Sequence, residues 1–302
     1  MSLTTKPYFG VKQMKGFQFA GICADIKKNK KTDLGLIYCD KPATATALFT
    51  RNKVIAAPVV LGKEKIKTGL CQALLVNSGN ANCFTGDKGL TDAITCSEML
   101  GKELGISTDL AIVSSTGVIG AYLPMEKFET GIPEVVKQLT ENNVDDFADS
   151  ILTTDTCRKI VCEKGSVNGK EFSILGIAKG SGMIRPDMAT MLAFICTDIK
   201  ISHEDLNTAL IAANEKSFNR ITVDGDTSTN DTLMILANGS SGACVNDAES
   251  KAVFQKLLEK VCLKLSKMIV RDGEGATKLA QITVKGAATP EDAFKASEAI
   301  AH

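Results

Sequence analysis

The segment from Lys179 to Asp198 constrains the fold most, because a loop with turn-forming glycine and proline residues runs straight into an apolar strand. The apolar run from Met191 to Cys196 has the length of one buried strand. The junction of loop and strand falls at Ala189 and Thr190. A hydroxyl side chain therefore lies where a loop meets a rigid element, which suits a nucleophile. A threonine that merely begins a strand is the ordinary alternative.

Other short apolar runs alternate with helical patterns along the chain. Strands in both halves, with helices between them, predict a layered α/β (α+β) fold. Predicted strands at 17–22, 33–39 and 45–50 form an antiparallel meander. Further predicted elements are helices over Asp87–Leu104 and roughly 247–270, a strand at 279–285 and a helix that begins at Thr289 and Pro290.

Small polar residues follow the predicted strands. The segment Asn77–Asn82 follows one apolar run and Ser114–Gly120 follows the next, while Thr153–Thr156 forms a third cluster at an element boundary. Amide and hydroxyl groups at such positions can line a cleft. Asparagines that bond their own backbone in a tight turn are the alternative, and the sequence leaves both open.

The composition excludes several classes of function. The 302 residues include 35 Lys+Arg and 35 Asp+Glu, so no net charge attracts nucleic acid or an acidic membrane. The first residues lack the pattern of a targeting segment and no apolar run is long enough to span a membrane, so we expect a cytoplasmic protein. The ten cysteines form no CxxC pair, which indicates free thiols in a reducing compartment and no metal site.

The sequence contains only two histidines. The two histidines are His203, which follows a predicted helix N-cap at Ser202, and the final residue His302. A Ser-His-Asp triad, a Cys-His pair or a histidine zinc site needs imidazole groups that the chain scarcely has. A nucleophilic enzyme with this sequence therefore needs another base.

Thr190 can supply that base if the chain is cut before it. Attack of its hydroxyl on the Ala189 carbonyl would free the α-amino group of Thr190, and such a group has a pKa of about 7.7–8. Thr116 and Gly117 offer a hydroxyl and an unobstructed N–H group to a developing oxyanion, with a plain glycine turn as the alternative.

Seven short segments, in order along the chain, resemble the ornithine acetyltransferase (glutamate N-acetyltransferase, ArgJ) family of arginine biosynthesis. The resemblance covers essentially the whole chain, and the shared order makes it specific. The segments are Asn77–Asn82, Ser115–Gly120, Thr153–Thr156, Lys179–Met183, Met188–Leu192, Thr222–Asn230 and Asp272–Thr277.

The resemblance implies self-cleavage between Ala189 and Thr190 into an α chain (1–189) and a β chain (190–302). Thr190 would take the acetyl group of N-acetylornithine and pass it to glutamate, without a bound cofactor and with acetyl-CoA left open as a co-substrate. The implied fold is an αββα sandwich similar to N-terminal nucleophile hydrolases, with αβ units assembled as α2β2 or larger. Family positions match Thr116 and Gly117 for the oxyanion, and Thr156, Lys179, Thr190 and Glu274 for substrate binding.

The chain departs from the family at its C-terminal end. Family members typically continue for about 100 residues beyond the match, and that tail carries further substrate contacts. The chain is thus expected to be C-terminally truncated. Two alternatives remain, an N-terminal-threonine amidase or aminopeptidase with water as acceptor, and a catalytically incomplete fragment. Small-molecule substrates and no nucleic acid, membrane or metal are expected.

Overall fold

A computed structural model describes residues 14–185 and 191–302, and the described residues form eight strands and seven α-helices. The strands are β1 (Phe17–Ile22), β2 (Leu34–Phe49), β3 (Leu70–Asn80), β4 (Ala111–Val118), β5 (Lys159–Val167), β6 (Lys170–Lys179), β7 (Leu192–Thr197) and β8 (Thr232–Ala237). The helices are α1 (Ala57–Lys65), α2 (Gly86–Leu104), α3 (Met125–Lys137), α4 (Val144–Ser150), α5 (His203–Glu215), α6 (Ala248–Arg271) and α7 (Pro290–Ala301).

The long strand β2 joins the two halves of the sheet. The two strands predicted at 33–39 and 45–50 are its two ends, and the register shifts between Tyr38 and Ala43. An irregularity of this kind bends a strand without ending its ladder. The first part of β2 pairs antiparallel with β1, as predicted, and with β3. The predicted third strand of the meander at 45–50 is wrong, because the chain does not turn back there: it continues as the second part of β2 and pairs antiparallel with β8.

The strands follow the order β4-β3-β2-β8-β7-β6-β5, with β1 paired to β2 off this path. β3 and β4 are parallel, as are β7 and β8, and the other neighbours are antiparallel. β7 and β8 thus lie inside the sheet, between β2 and β6.

Strand residues alternate between a central apolar layer and two outer ones. Phe194 of β7 and Leu74 of β3 belong to the same central cluster. Their chain neighbours face the opposite way: Ile195 packs with residues of α5 and α6, and Leu75 packs with residues of α2 and α3. The order helix, sheet, sheet, helix is the predicted αββα sandwich.

A further predicted element is wrong and two were not foreseen. Residues 279–285 form no strand: their side chains are mostly exposed and no described strand lies beside them to accept a ladder. The sequence patterns did not predict helix α1 or strand β5. The predicted helices are confirmed, and α7 begins at the Thr289 cap, whose hydroxyl accepts the Asp292 N–H group. Over residues 14–185 and 191–302, no helix has both the length and the apolar character of a membrane span.

Candidate active site

Three strand ends meet at one edge of the sandwich. β6 ends at Lys179 opposite Leu192, where β7 begins, and Leu192 pairs in turn with the start of β8. Just before β8, the Asn230 amide donates to the carbonyl oxygens of Ala81 and Ser115, at 2.7 and 2.8 Å. This buried side chain therefore fixes the ends of β3 and β4 against the start of β8.

Thr116 of β4 and Lys179 of β6 come from opposite halves of the sheet and meet at this edge. The Lys179 ammonium donates to Thr116 Oγ1 at 3.3 Å, and the two residues are 3% (Lys179) and 5% (Thr116) exposed. Because an ammonium group only donates, the Thr116 oxygen is the acceptor. The hydroxyl hydrogen of Thr116 is then available to an oxyanion.

The ammonium group of Lys179 is buried away from water. Burial lowers its pKa, because the charged form loses its water. The negative charge of Asp155 opposes that shift, the Lys159 ammonium adds to it, and Glu274 opposes it. A buried cation of this kind gains most from an anionic ligand, so Lys179 is suited to a substrate carboxylate.

Gly117 lies inside β4, opposite Gly79 of β3, and its φ is 135°. A Cβ atom at this position would lie 2.4 Å from the carbonyl carbon of Gly79 and 2.5 Å from the nitrogen of Asn80. The close approach of two backbones therefore requires glycine here. The alternative of a plain glycine turn is wrong for Gly117, because the strand continues to Val118.

We expect Gly117→Ala to lower the free energy of unfolding by about 3–5 kcal/mol, since strain at this φ adds to a clash with backbone atoms that cannot rotate away. Activity should fall about 100-fold, because the strand that carries the two predicted oxyanion donors must shift. Denaturant unfolding and a rate assay measure the two effects. Gly120→Ala is the matched control: its φ is 84° but the added Cβ meets nothing within 4 Å. Equal losses in both variants would contradict the argument.

Lys159 is buried between two carboxylates beside this edge. Its ammonium lies 2.7 Å from Asp155 Oδ1 and 2.5 Å from Asp272 Oδ2, and the three side chains are 0%, 0% and 5% exposed. Burial acts to raise the pKa of Asp155, but the cations Lys179 and Lys159 outweigh it and lower the pKa to about 2. Asp155 also accepts the Gly180 N–H group at 2.7 Å, so the cluster fixes the backbone that follows Lys179.

The same cluster positions Thr156 and Glu274. Thr156 donates its hydroxyl to Asp272 Oδ1 and its N–H group to Asp272 Oδ2, the latter at 3.0 Å. The Glu274 N–H group donates to Ser181 O at 2.8 Å, and a Cβ atom on Gly182 would lie 2.6 Å from the Glu274 carboxyl carbon. Both Thr156 and Glu274 are exposed, so they can reach a ligand from solvent.

The loop after Lys179 is held on both sides of the predicted cleavage point. The Asp224 carboxylate accepts the N–H groups of Met183 and Ile184, at 2.5 and 2.9 Å. On the far side, the Met191 N–H group donates to Asp231 Oδ1 at 2.8 Å. Ala189 and Thr190, the predicted cleavage site and nucleophile, lie outside the described residues.

The structure thus brings Thr116, Lys179 and the anchors of Thr156 and Glu274 to one edge, with Gly117 next to Thr116 in the same strand β4. Several residues of the site carried no assigned role in the sequence. Asp155 and Asp272 stood inside two of the segments that resemble the family, so their positions were a usable signal. Lys159 and Asp231 offered none that separates them from surface residues.

The asparagine side chains at 77 and 80 bond backbone carbonyl groups. The Asn77 amide bonds the nearby Asn80 carbonyl at 2.8 Å, as a turn would. The Asn80 amide instead reaches the Tyr122 carbonyl at 2.9 Å and so fixes the chain that follows β4. All ten cysteines are free thiols, and no group of three potential metal ligands occurs among the described residues.

The ArgJ family model matches residues 18–302. Among known proteins, the arginine biosynthesis bifunctional protein ArgJ of Geobacter sulfurreducens is 48% identical over 291 residues. That match covers 96% of this chain and 74% of the relative.

Two crystal structures of relatives match as well. The arginine biosynthesis bifunctional protein ArgJ of Bacillus halodurans has 42% identity and a TM-score of 0.56, over 60% of this chain and 93% of that one. The ornithine acetyltransferase of Mycobacterium tuberculosis, solved with ornithine, has 32% identity and a TM-score of 0.51, over 59% of this chain and 94% of that one.

A more distant likeness concerns the fold alone. The L-aminopeptidase D-Ala-esterase/amidase of Ochrobactrum anthropi, a variant of the N-terminal nucleophile (Ntn) hydrolase fold, matches with a TM-score of 0.51 and 11% identity. The match covers 90% of this chain and 88% of that one. The predicted similarity to the N-terminal nucleophile hydrolase fold is therefore confirmed.

Proposed function

The chain belongs to the ArgJ family, and from that membership we propose that it transfers the acetyl group of N-acetylornithine to glutamate through an acetyl-Thr190 intermediate. The observation that carries the proposal is the meeting of Thr116 and Lys179 beside the start of β7. A hydroxyl donor and a buried cation stand there next to the strand that Thr190 precedes.

The first step is self-cleavage. The Thr190 oxygen bonds to the Ala189 carbonyl carbon, the bond from that carbon to the Thr190 nitrogen breaks, and water then hydrolyses the resulting ester. The products are the α chain 1–189 and a β chain with a free amine on Thr190. That amine supplies the base that the scarce histidines cannot.

The lengths of the solved relatives support a cut near this position. The 60% of these 302 residues that matches the Bacillus halodurans structure makes up 93% of that chain, which is therefore about 195 residues long. The same reasoning gives about 190 residues for the Mycobacterium tuberculosis chain. Both are close to the length of segment 1–189.

Acetyl transfer then runs in two balanced halves. The Thr190 amine takes the hydroxyl proton, the oxygen bonds to the acetyl carbon of N-acetylornithine, and ornithine leaves with the proton on its nitrogen. The amine of glutamate next bonds to the same carbon and releases the threonine hydroxyl. Thr116 and Gly117 stabilise the oxyanion of each tetrahedral intermediate by hydrogen bonds from a hydroxyl and an N–H group.

Substrate binding uses the charged groups around this edge. Lys179 pairs with the α-carboxylate of the substrate. This ion pair replaces the favourable interactions with water that the ammonium group lost on burial. Glu274 accepts from an ammonium group of the substrate. The Thr156 hydroxyl donates to Asp272, so its oxygen is the atom that accepts from the substrate.

The two chains stay paired after the cut, and the pairs associate as α2β2 or larger. The exposed apolar side chains Phe84 (78%), Val118 (62%) and Tyr122 (59%) support further association, since water contact at such side chains is unfavourable. No bound cofactor is needed, because the threonine itself carries the acetyl group. Acetyl-CoA is the second candidate acetyl donor to test.

Two measurements on the purified protein test the function. Intact mass should show two chains split before Thr190, and light scattering should give the mass of the assembly. N-acetylornithine with glutamate should yield N-acetylglutamate, whereas N-acetylornithine alone should release little acetate. Rapid release of acetate without glutamate would mean that water is the acceptor, and a single uncut chain without transfer would overturn the proposal. Replacing N-acetylornithine by acetyl-CoA measures the second donor.

A further inference from the structure

Asp231, the residue before β8, has a carboxyl group with one hydrogen-bonded oxygen and one oxygen without a partner in the described part of the chain. The residue is 0% exposed, its Oδ1 accepts the Met191 N–H group at 2.8 Å, and its main-chain oxygen accepts the Thr50 N–H group at 3.0 Å. Its Oδ2 has no hydrogen-bond partner among residues 14–185 and 191–302. In that part of the chain the one other such atom is Asn214 Oδ1. A buried polar atom without a hydrogen-bond partner lowers the stability of the fold, so its presence needs an explanation such as a catalytic role.

Covalent geometry places this carboxyl group next to the bond that is cut. Three bonds separate the Met191 nitrogen from the Thr190 nitrogen, so the two atoms lie at most about 3.7 Å apart. With the hydrogen bond from Met191 added, Asp231 Oδ1 lies within about 6.5 Å of the Thr190 nitrogen. Direct contact, at about 3 Å, and a bridge through one water, at about 5.5 Å, both fall within this limit.

The surroundings favour the protonated form of this carboxyl group. Burial raises its pKa well above the ordinary value for aspartate. The Met191 N–H group, the Ser228 hydroxyl and the Lys179 ammonium act in the opposite direction but do not outweigh burial. Asp231 therefore holds a proton close to the residue 190 nitrogen.

Self-cleavage needs such a group, because the base used later does not yet exist. Before the cut, the Thr190 nitrogen is an amide, which cannot accept the hydroxyl proton. That nitrogen must itself gain a proton to leave as an amine. Resting on the proposed function, we propose that Asp231 carries the proton in self-cleavage.

The proposed step balances without a further reactant. As the Thr190 oxygen bonds to the Ala189 carbonyl carbon, the Asp231 carboxyl gives its proton to the departing nitrogen, directly or through one water. The carboxylate left behind takes the proton from the threonine hydroxyl. The bond between Ala189 and the nitrogen breaks, an ester and a free amine result, and Asp231 ends protonated as it began.

Asp231→Asn separates this role from a structural one. An amide has the shape of the protonated carboxyl group and the same combination of one acceptor and a donor, so the Met191 hydrogen bond and the fold are kept. It cannot exchange a proton in this way. Full-length chains made by cell-free synthesis, with synthesis then stopped, allow the rate of cutting to be followed by gel and intact mass.

We expect Asp231→Asn to cut at least about 100-fold more slowly than the wild type, with an unchanged melting temperature. Asp198→Asn is the matched control, since Asp198 is also a buried aspartate with a raised pKa, and it should cut at the wild-type rate. The wild-type rate should fall as the pH rises through the range where Asp231 ionises.

The possible failures are distinguishable. If the wild type does not cut itself, the proposed function fails and this inference fails with it. If the wild type cuts and Asp231→Asn cuts at the same rate, this inference alone is overturned. Should the variant prove unstable, the wild-type pH profile decides, because a cutting rate that rises with pH contradicts a protonated aspartate as the proton donor.

Discussion

Replacing Thr190 by alanine is expected to leave one uncut chain and to reduce acetyl transfer to below about one-thousandth of the wild-type rate. The methyl side chain removes the oxygen that is proposed to attack Ala189, so neither the proposed cut nor the acetyl intermediate should form. Both effects come from one atom, which makes this the largest loss that a single substitution should cause. Intact mass and the exchange assay measure the two effects in one preparation.

Thr190→Ser is the matched control for that loss. Serine keeps the hydroxyl and, after the cut, the same α-amino base, so it should still split and retain measurable transfer. Trapping with N-acetylornithine in the absence of glutamate should add one acetyl group to the β chain of the wild type. Cutting in the alanine variant would mean that another residue is the nucleophile.

Replacing Lys159 by methionine should lower the free energy of unfolding by about 3–5 kcal/mol. Methionine is of similar length and fills the space, but it leaves the carboxylates of Asp155 and Asp272 buried without their cation. Since these carboxylates hold Gly180 and Thr156, acetyl transfer should fall as well. A fall of about 5–8 °C in melting temperature is the expected readout for a chain of this size.

Lys216→Met is the control for a lost surface ion pair, because Lys216 is 65% exposed beside Glu259. It should cost less than about 1 kcal/mol. The pH dependence gives a second check. The lowered pKa of Asp155 means that its stabilisation is complete above its unfolded value, about pH 4, and is lost as the pH falls toward 2. A Lys159→Met protein that melts like the wild type would contradict the buried-pair argument.

The sequence predicts the layered fold well because alternation along strands and periodicity along helices are local properties. Phe194 and Ile195 are both apolar, yet the sequence alone cannot tell which faces the centre, since both neighbours of β7 are also buried strands. The strand predicted at 279–285 failed for a related reason. Alternation there is present, but a strand also needs a neighbour, and the sequence does not supply one.

The site was predictable where a residue type has an unusual local setting. Gly117 and Lys179 stand in segments whose order resembles a family. Lys159 has no such signal: it begins an ordinary strand, and its role comes from Asp272, which lies 113 residues later in the chain. Asp231 is similar, because its orphaned oxygen becomes visible only when burial and partners are known.

The position of β7 and β8 inside the sheet determines whether folding or the proposed cleavage comes first. Both strands come from segment 190–302, yet they are hydrogen-bonded between β2 and β6, which come from segment 1–189. A separately made β chain would have to enter between strands that would otherwise close on each other. Folding therefore has to precede the proposed cut. On that proposal the intact precursor, and not a mixture of two finished pieces, is the state in which the active molecule is assembled.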